Sequence, residues 1–179
     1  CIKLAIAEIL PARPDVVVAG INPGANVGAN LNYSGTVAAA KEAALGGAIG
    51  IAVSIEGQNA DYYDDAALFV THLCDTVHAK GLPFGTFLNV NIPNRPLKEI
   101  AGVRISRQGV GLLSVYVEKR RDPRNRTYYW QGRDMQSFGD DLEIDGAALG
   151  QNFISITPIK CDMTDYHVLE DLRSWGLKK

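Results

Sequence analysis

Between residues 20 and 36 the sequence sets four glycines, at 20, 24, 28 and 35, among four asparagines, at 22, 26, 30 and 32. Tyr33, Ser34 and Thr36 follow directly. Glycines let a backbone approach an anion closely, and an asparagine carbonyl oxygen is a suitable ligand for a hard divalent cation. The Ser34-Gly35-Thr36 turn stands before an alanine-rich run, so a helix starting there would aim unpaired N–H groups and its positive dipole end outward. That is phosphate-binding chemistry in outline. No carboxylate, histidine or thiolate occurs in the stretch, so its side chains orient and coordinate but none is a base. One neutral oxygen holds a cation too weakly by itself, and the missing negative charge must come from elsewhere. Turn formation alone also explains a generic Asn/Gly loop, so composition leaves both readings open at this point.

Such a loop needs a sheet to hold it. Val16, Val17 and Val18 form an unbroken β-branched run that suits a strand buried on both faces and leads straight into the glycine-spaced stretch. Apolar spacing predicts helices over Cys1–Leu10, Val37–Leu45 and Ala60–Lys80, with a second buried strand over Ala48–Ile55. Ser34 and Thr36 are helix-capping types, and Gly46-Gly47 would close the second helix. Alternation of this kind predicts an α/β fold, Rossmann-like, with a mainly parallel sheet and helices on both faces. The loop then falls at a strand's carboxyl end, where open α/β sheets bind ligands.

Farther along, Thr86–Ile92, Gly102–Arg107, Leu112–Glu118 and Asn152–Ile159 read as strands. A polar turn at Asp122–Asn125 before Arg126–Gln131 predicts a β-hairpin extension, and Thr164–Leu177 a closing amphipathic helix. No repeat or linker divides the chain. It is read as a single domain over 1–179, with an α/β core over 1–82 and the remaining strands, hairpin arm and C-terminal helix over 83–179.

The 179 residues are 46% hydrophobic, with 18 basic and 20 acidic side chains for a formal charge of -2. That balance excludes a whole-chain field for nucleic-acid polymers or anionic membranes, so phosphate must be gripped locally. Cys1, Cys74 and Cys161 lack paired spacing, which argues against a disulfide framework or zinc site and fits the cytoplasm. His72, His78 and His167 lack metal-ligand spacing, and neither Ser54 nor Ser155 sits in a Gly-x-Ser-x-Gly elbow. The pairs Asp64-Asp65 and Asp140-Asp141 lack a strand-then-glycine context and read as solvated surface. The basic cluster Lys119, Arg120, Arg121, Arg124 and Arg126 beside Tyr128, Tyr129 and Trp130 reads first as a solvated hairpin tip, with base stacking, a polyphosphate contact or packing against another subunit as the alternative.

The string Val18-Ala-Gly-Ile-Asn-Pro-Gly-Ala-Asn-Val-Gly, with Tyr33-Ser-Gly-Thr-Val-Ala-Ala-Ala after it, resembles the central signature of the SurE survival-protein family of nucleotidases. Similar motifs continue in family order at Gly85–Pro93, Arg107–Gly109, Asp122–Gly132 and Phe153–Ile159. The resemblance implies a metal-dependent phosphatase acting on nucleoside 5′- and 3′-monophosphates, with Mg or Mn as the divalent cation. It implies Asn22 as a metal-binding and catalytic residue. Ser34, Gly35 and Thr36 match the segment lining the phosphate pocket, with Gly24 and Asn26 beside them. The family's Asn-Asp-Asp-Gly loop and a later serine ligand have no counterpart here, so the chain is expected to lack the family's N-terminal segment and to be inactive alone. The arm and the C-terminal helix are expected to serve a homodimer or homotetramer. Two other readings compete: a non-catalytic nucleotide-binding or oligomerisation module, and a Rossmann-like transferase gripping a nucleotide diphosphate.

Overall fold

Apolar periodicity and turn residues become elements across residues 1–111, 114–132 and 136–177, the residues described by the structure, a computed structural model. The N-terminal segment opens as α1 (Ile2–Leu4) and widens into a π-helical turn over Ala5–Ile9, in place of the single helix to Leu10 that apolar spacing predicts. None of its residues is buried, so no packing enforces a regular α-helix. The strand β1 runs over Val16–Pro23 and so takes in Gly20 and Asn22, which composition alone assigns to the loop. Pairing with its neighbour, interrupted by an irregularity between Ala19 and Asn22, overrides the local turn preference.

After a 3₁₀ segment at Gly28–Tyr33 come α2 (Gly35–Leu45), β2 (Ile49–Ile55), α3 (Tyr63–Lys80) and β3 (Thr86–Ile92). The second half adds β4 (Gly102–Ile105), β5 (Val117–Arg121), β6 (Thr127–Gln131), α4 (Asp145–Gly150), β7 (Phe153–Lys160) and α5 (Tyr166–Ser174). The helix α4 has no counterpart in the sequence reading. At six residues it is too short to show an apolar period.

One sheet holds five strands in the order β1-β2-β3-β7-β4. The first three run parallel, β7 is antiparallel to β3, and β4 runs parallel to β7. Both sides of residue 83 therefore contribute strands to one sheet. On one face Ile51, Val53, Ile55, Val90 and Ile92 pack with Ala66, Val70 and Val77 of α3. On the other, Ala52 and Phe87 meet Val37, Ala40 and Ala44 of α2. The alanines let α2 lie close: a side chain at Gly50 would overlap the Ala40 carbonyl. Burying each large aliphatic side chain stabilises the fold by about 1.5–3 kcal/mol.

The strands β5 and β6 form a separate hairpin arm. Its first strand is described over Val117–Arg121; Leu112 and Leu113, where the expected strand over Leu112–Glu118 would start, lie outside the described residues. The turn sets that register. Asp122 Oδ1 accepts from the N–H groups of Arg124 and Arg126, and Asn125 takes φ of 62°. Lys119, Arg120 and Arg121 consequently stand in the strand, not at a tip.

Candidate functional site

The face of the sheet beneath α2 becomes polar toward the carboxyl ends of β2 and β3. Ser54, Asn89 and Asn91 are all fully buried there, on alternating positions that share one face. Burying them requires partners, and Asn26 supplies most. Its N–H donates to Asn91 Oδ1 at 2.8 Å and its Nδ2 to Ser54 Oγ at 2.6 Å. Its carbonyl accepts from Asn89 Nδ2 and Asn91 Nδ2, both at 2.9 Å. Asn26 thus fastens the loop leaving β1 onto two strands.

Asn22 sits at the end of β1, opposite Ser54. Its Nδ2 donates to the carbonyls of Pro23 at 3.2 Å and Gly24 at 2.8 Å, which fixes the amide plane and leaves Oδ1 without a protein donor among the described residues. A carbonyl oxygen held in this way is suited to a cation or to a water. Gly24 is itself pinned by donation of its N–H to the Ile55 carbonyl.

The loop's far limb ends at Ser34, whose Oγ accepts from the Val37 N–H at 3.2 Å and so caps α2. The amides of Gly35 and Thr36 lack intrahelical acceptors because they lie in the first turn. Ser34 borders a cleft of about 670 Å³ between α2 and β7, with Phe87 and Ile159 in its lining and Lys41, Arg107 and Lys160 at its edge. Arg107 is held by Asp141 at 3.0 Å. The structure thus brings Asn22, Gly24 and Asn26 together at the exit of β1, and Ser34, Gly35 and Thr36 at the start of α2. No hydrogen bond joins the two groups among the described residues.

Between these limbs lies a carboxylate that sequence reasoning missed. Asp145 is fully buried, and accepts from the N–H groups of Gly28 at 2.8 Å, Gly109 at 2.9 Å and Gly146 at 2.8 Å. Burial pushes its carboxyl above the usual range, and these backbone donors pull against that shift. Nothing distinguishes Asp145 from nearby Asp140 and Asp141 in one dimension. The alternation Asn89-Val-Asn91 inside an apolar strand is the one available signal for the polar layer.

The remaining candidates have other occupations. Asp65 accepts from the Leu97 N–H, and His72, His78 and His167 are exposed. Within the arm, Arg120 pairs with Glu118 and lies over Trp130 at 5.2 Å, while Arg126 pairs with Asp122. Among the described residues no three His, Cys, Asp or Glu side chains converge on a metal position. The donor found at the loop among the described residues is one neutral oxygen, at Asn22, and does not by itself fit a divalent cation.

Comparison with known proteins decides the lineage. A family model described as Survival protein SurE matches residues 1–114. The chain belongs to the SurE family. A relative named 5′-nucleotidase SurE from Desulfatibacillum aliphaticivorans is 53% identical over 179 residues, covering all of this chain and 71% of the relative. One of the same name from Syntrophobacter fumaroxidans is 43% identical over 177 residues, or 99% of this chain and 71% of that protein. The crystal structure of the SurE protein from Aquifex aeolicus superposes with a TM-score of 0.82 at 34% identity, covering 97% of this chain and 71% of that one. SurE membership and the shared α/β fold agree with the sequence resemblance. No described helix is long and apolar enough to cross a membrane.

Proposed function

We propose that this SurE-family chain carries the phosphate-gripping side of a metal-dependent phosphatase for nucleoside 5′- and 3′-monophosphates. The observation that carries the reading is the loop from Asn22 to Thr36, built onto buried polar side chains at the strand ends rather than left as surface turn. Turn formation alone does not call for Ser54, Asn89 and Asn91 to be buried beneath it. Relatives named 5′-nucleotidase, 53% and 43% identical, support the substrate class.

In this reading the amides of Gly35 and Thr36, with Ser34 as cap, hold the phosphoryl oxygens at the positive end of α2. Gly24 and Asn26 shape the opposite wall, and Asn22 Oδ1 is both the metal-facing and the catalytic contact. The cleft beside Ser34 falls within the size range of small-ligand sites. A divalent cation, Mg or Mn, would offset charge on the phosphoryl oxygens and favour attack by water. Its acidic ligands are not found among the described residues; the family's Asn-Asp-Asp-Gly loop is the proposed source. The 179 residues alone then act as a binding and assembly module without turnover.

The exposed apolar side chains Val168 and Leu172 of α5 and Trp175 just beyond its end, with the exposed arm, support a homodimer or homotetramer. The three free cysteines support a reducing, cytoplasmic setting.

A phosphate-release assay on nucleoside monophosphates with Mg²⁺ or Mn²⁺ tests the reading. The 179-residue chain is expected to release none, whereas a chain carrying the acidic loop ahead of Cys1 is expected to turn over. Metal-dependent turnover by the 179 residues alone would refute the division of labour.

A further inference from the structure

Gly28 lies six residues after Asn22 and six before Ser34, midway along the loop. It is the loop's deepest tether to the second half of the chain. Its N–H donates to Asp145 Oδ2 and its carbonyl accepts from Gln108 Nε2 at 2.8 Å, while the next amide, Ala29 N–H, donates to Gln136 Oε1 at 2.9 Å. Both backbone groups of one residue are thus held by side chains about eighty and more positions away.

The three glycines that donate to Asp145 share a second neighbour. Gly28 takes φ of +60°, and a Cβ there would lie 2.6 Å from a Phe138 ring carbon and 2.8 Å from the Gly109 carbonyl oxygen. A Cβ at Gly109 would come within 2.8 Å of the same ring, and one at Gly146 would overlap it. Glycines 28, 109 and 146 therefore form a socket with the Asp145 carboxylate accepting their amides and the Phe138 ring filling the space that side chains would need. An isolated bridge between Arg107 and Ile144 sets the second and third walls together.

We infer that Asp145 is a positioning residue for the phosphate site, fixing the separation between the Asn22 limb and the Ser34 limb by anchoring Gly28 in a three-glycine socket. This rests on the reading of the loop as a phosphate site, but the tether is measurable without it. A carboxylate suits the task because it accepts only: three converging N–H donors meet no competing donor. An amide in its place presents its own NH₂ to one of them.

The test is Asp145→Asn, with amide exchange and inorganic phosphate titration followed by NMR. Expected are at least tenfold faster exchange at Gly28 and Gly109, unchanged exchange in β2 and β3, and at least tenfold weaker phosphate binding read at Gly35 and Thr36. Unchanged exchange at Gly28, or equal acceleration throughout β2 and β3, overturns the inference. Should this variant fail to fold, Gln108→Leu removes only the bond to the Gly28 carbonyl; it must speed exchange over residues 28–30 and weaken phosphate, and no change in either overturns the inference. A wild-type chain that binds no phosphate, together with a variant whose loop is freed, establishes the tether and defeats the phosphate reading instead.

Discussion

At the scale of single residues, the site is made of groups whose bonds are nearly all used up. Asn26 spends its N–H, Nδ2 and carbonyl on the sheet, and among the described residues Asn22 Oδ1, the first amides of α2 and the buried Asn89 Oδ1 are left without protein partners. Replacing Asn91 by Ala strands the Asn26 N–H and removes a donor to its carbonyl; the expected loss is about 2–3 kcal/mol, measured by urea unfolding. Ser34→Ala removes the cap on Val37 and should cost about 1 kcal/mol in the same experiment, with weaker phosphate binding. Asp145 adds a pH signature. Its folded carboxyl is raised by burial, so the folded chain holds that proton more tightly than the unfolded one. The associated stability is full below the ordinary aspartate value, near pH 4, and is lost as pH rises through the raised one. Stability profiles of wild type and Asp145→Asn should therefore differ in slope just above that value; parallel profiles would contradict the assignment.

At the scale of elements, local periodicity makes the first half legible. Buried β2 and the alanine-rich α2 follow from runs of apolar residues with clear caps, and Ser34 is recognisable as a cap from its type and its place ahead of the alanine run. Boundaries slip where pairing decides the outcome: β1 extends through Gly20 and Asn22 because β2 offers it a ladder. In the arm the Asp122 turn sets the register of β5 against β6, which composition does not specify. The helix α5 stands on its Asp165 cap, its apolar side chains exposed. Leu172→Asp is expected to leave the fold intact and shift the chain to a smaller species in light scattering. An unchanged mass would remove α5 from the proposed assembly contact.

At the scale of the whole molecule, contacts distant in sequence are illegible in one dimension. Gly28 and Asp145 are 117 positions apart, and Asn26 and Asn91 are 65 apart. No periodicity reports that an aspartate in a short helix receives three glycine amides. The loop's composition suggests chemistry, yet what separates that chemistry from an ordinary turn is the buried polar layer beneath it, which exists only once the strands are paired. The two halves of the chain meet at that loop, through the bonds of Gly28 to Asp145 and Gln108.

The central claim is that the loop from Asn22 to Thr36 grips the phosphate and that Asn22 Oδ1 faces the reacting centre. The most direct measurement is kcat/KM for phosphate release from a nucleoside monophosphate with Mg²⁺, comparing Asn22 with Asn22→Ala in a chain that carries the family's acidic loop. A loss of tenfold or more, about 1.4 kcal/mol of transition-state stabilisation, is predicted, with the fold unchanged by circular dichroism. Equal turnover in the two proteins would contradict it.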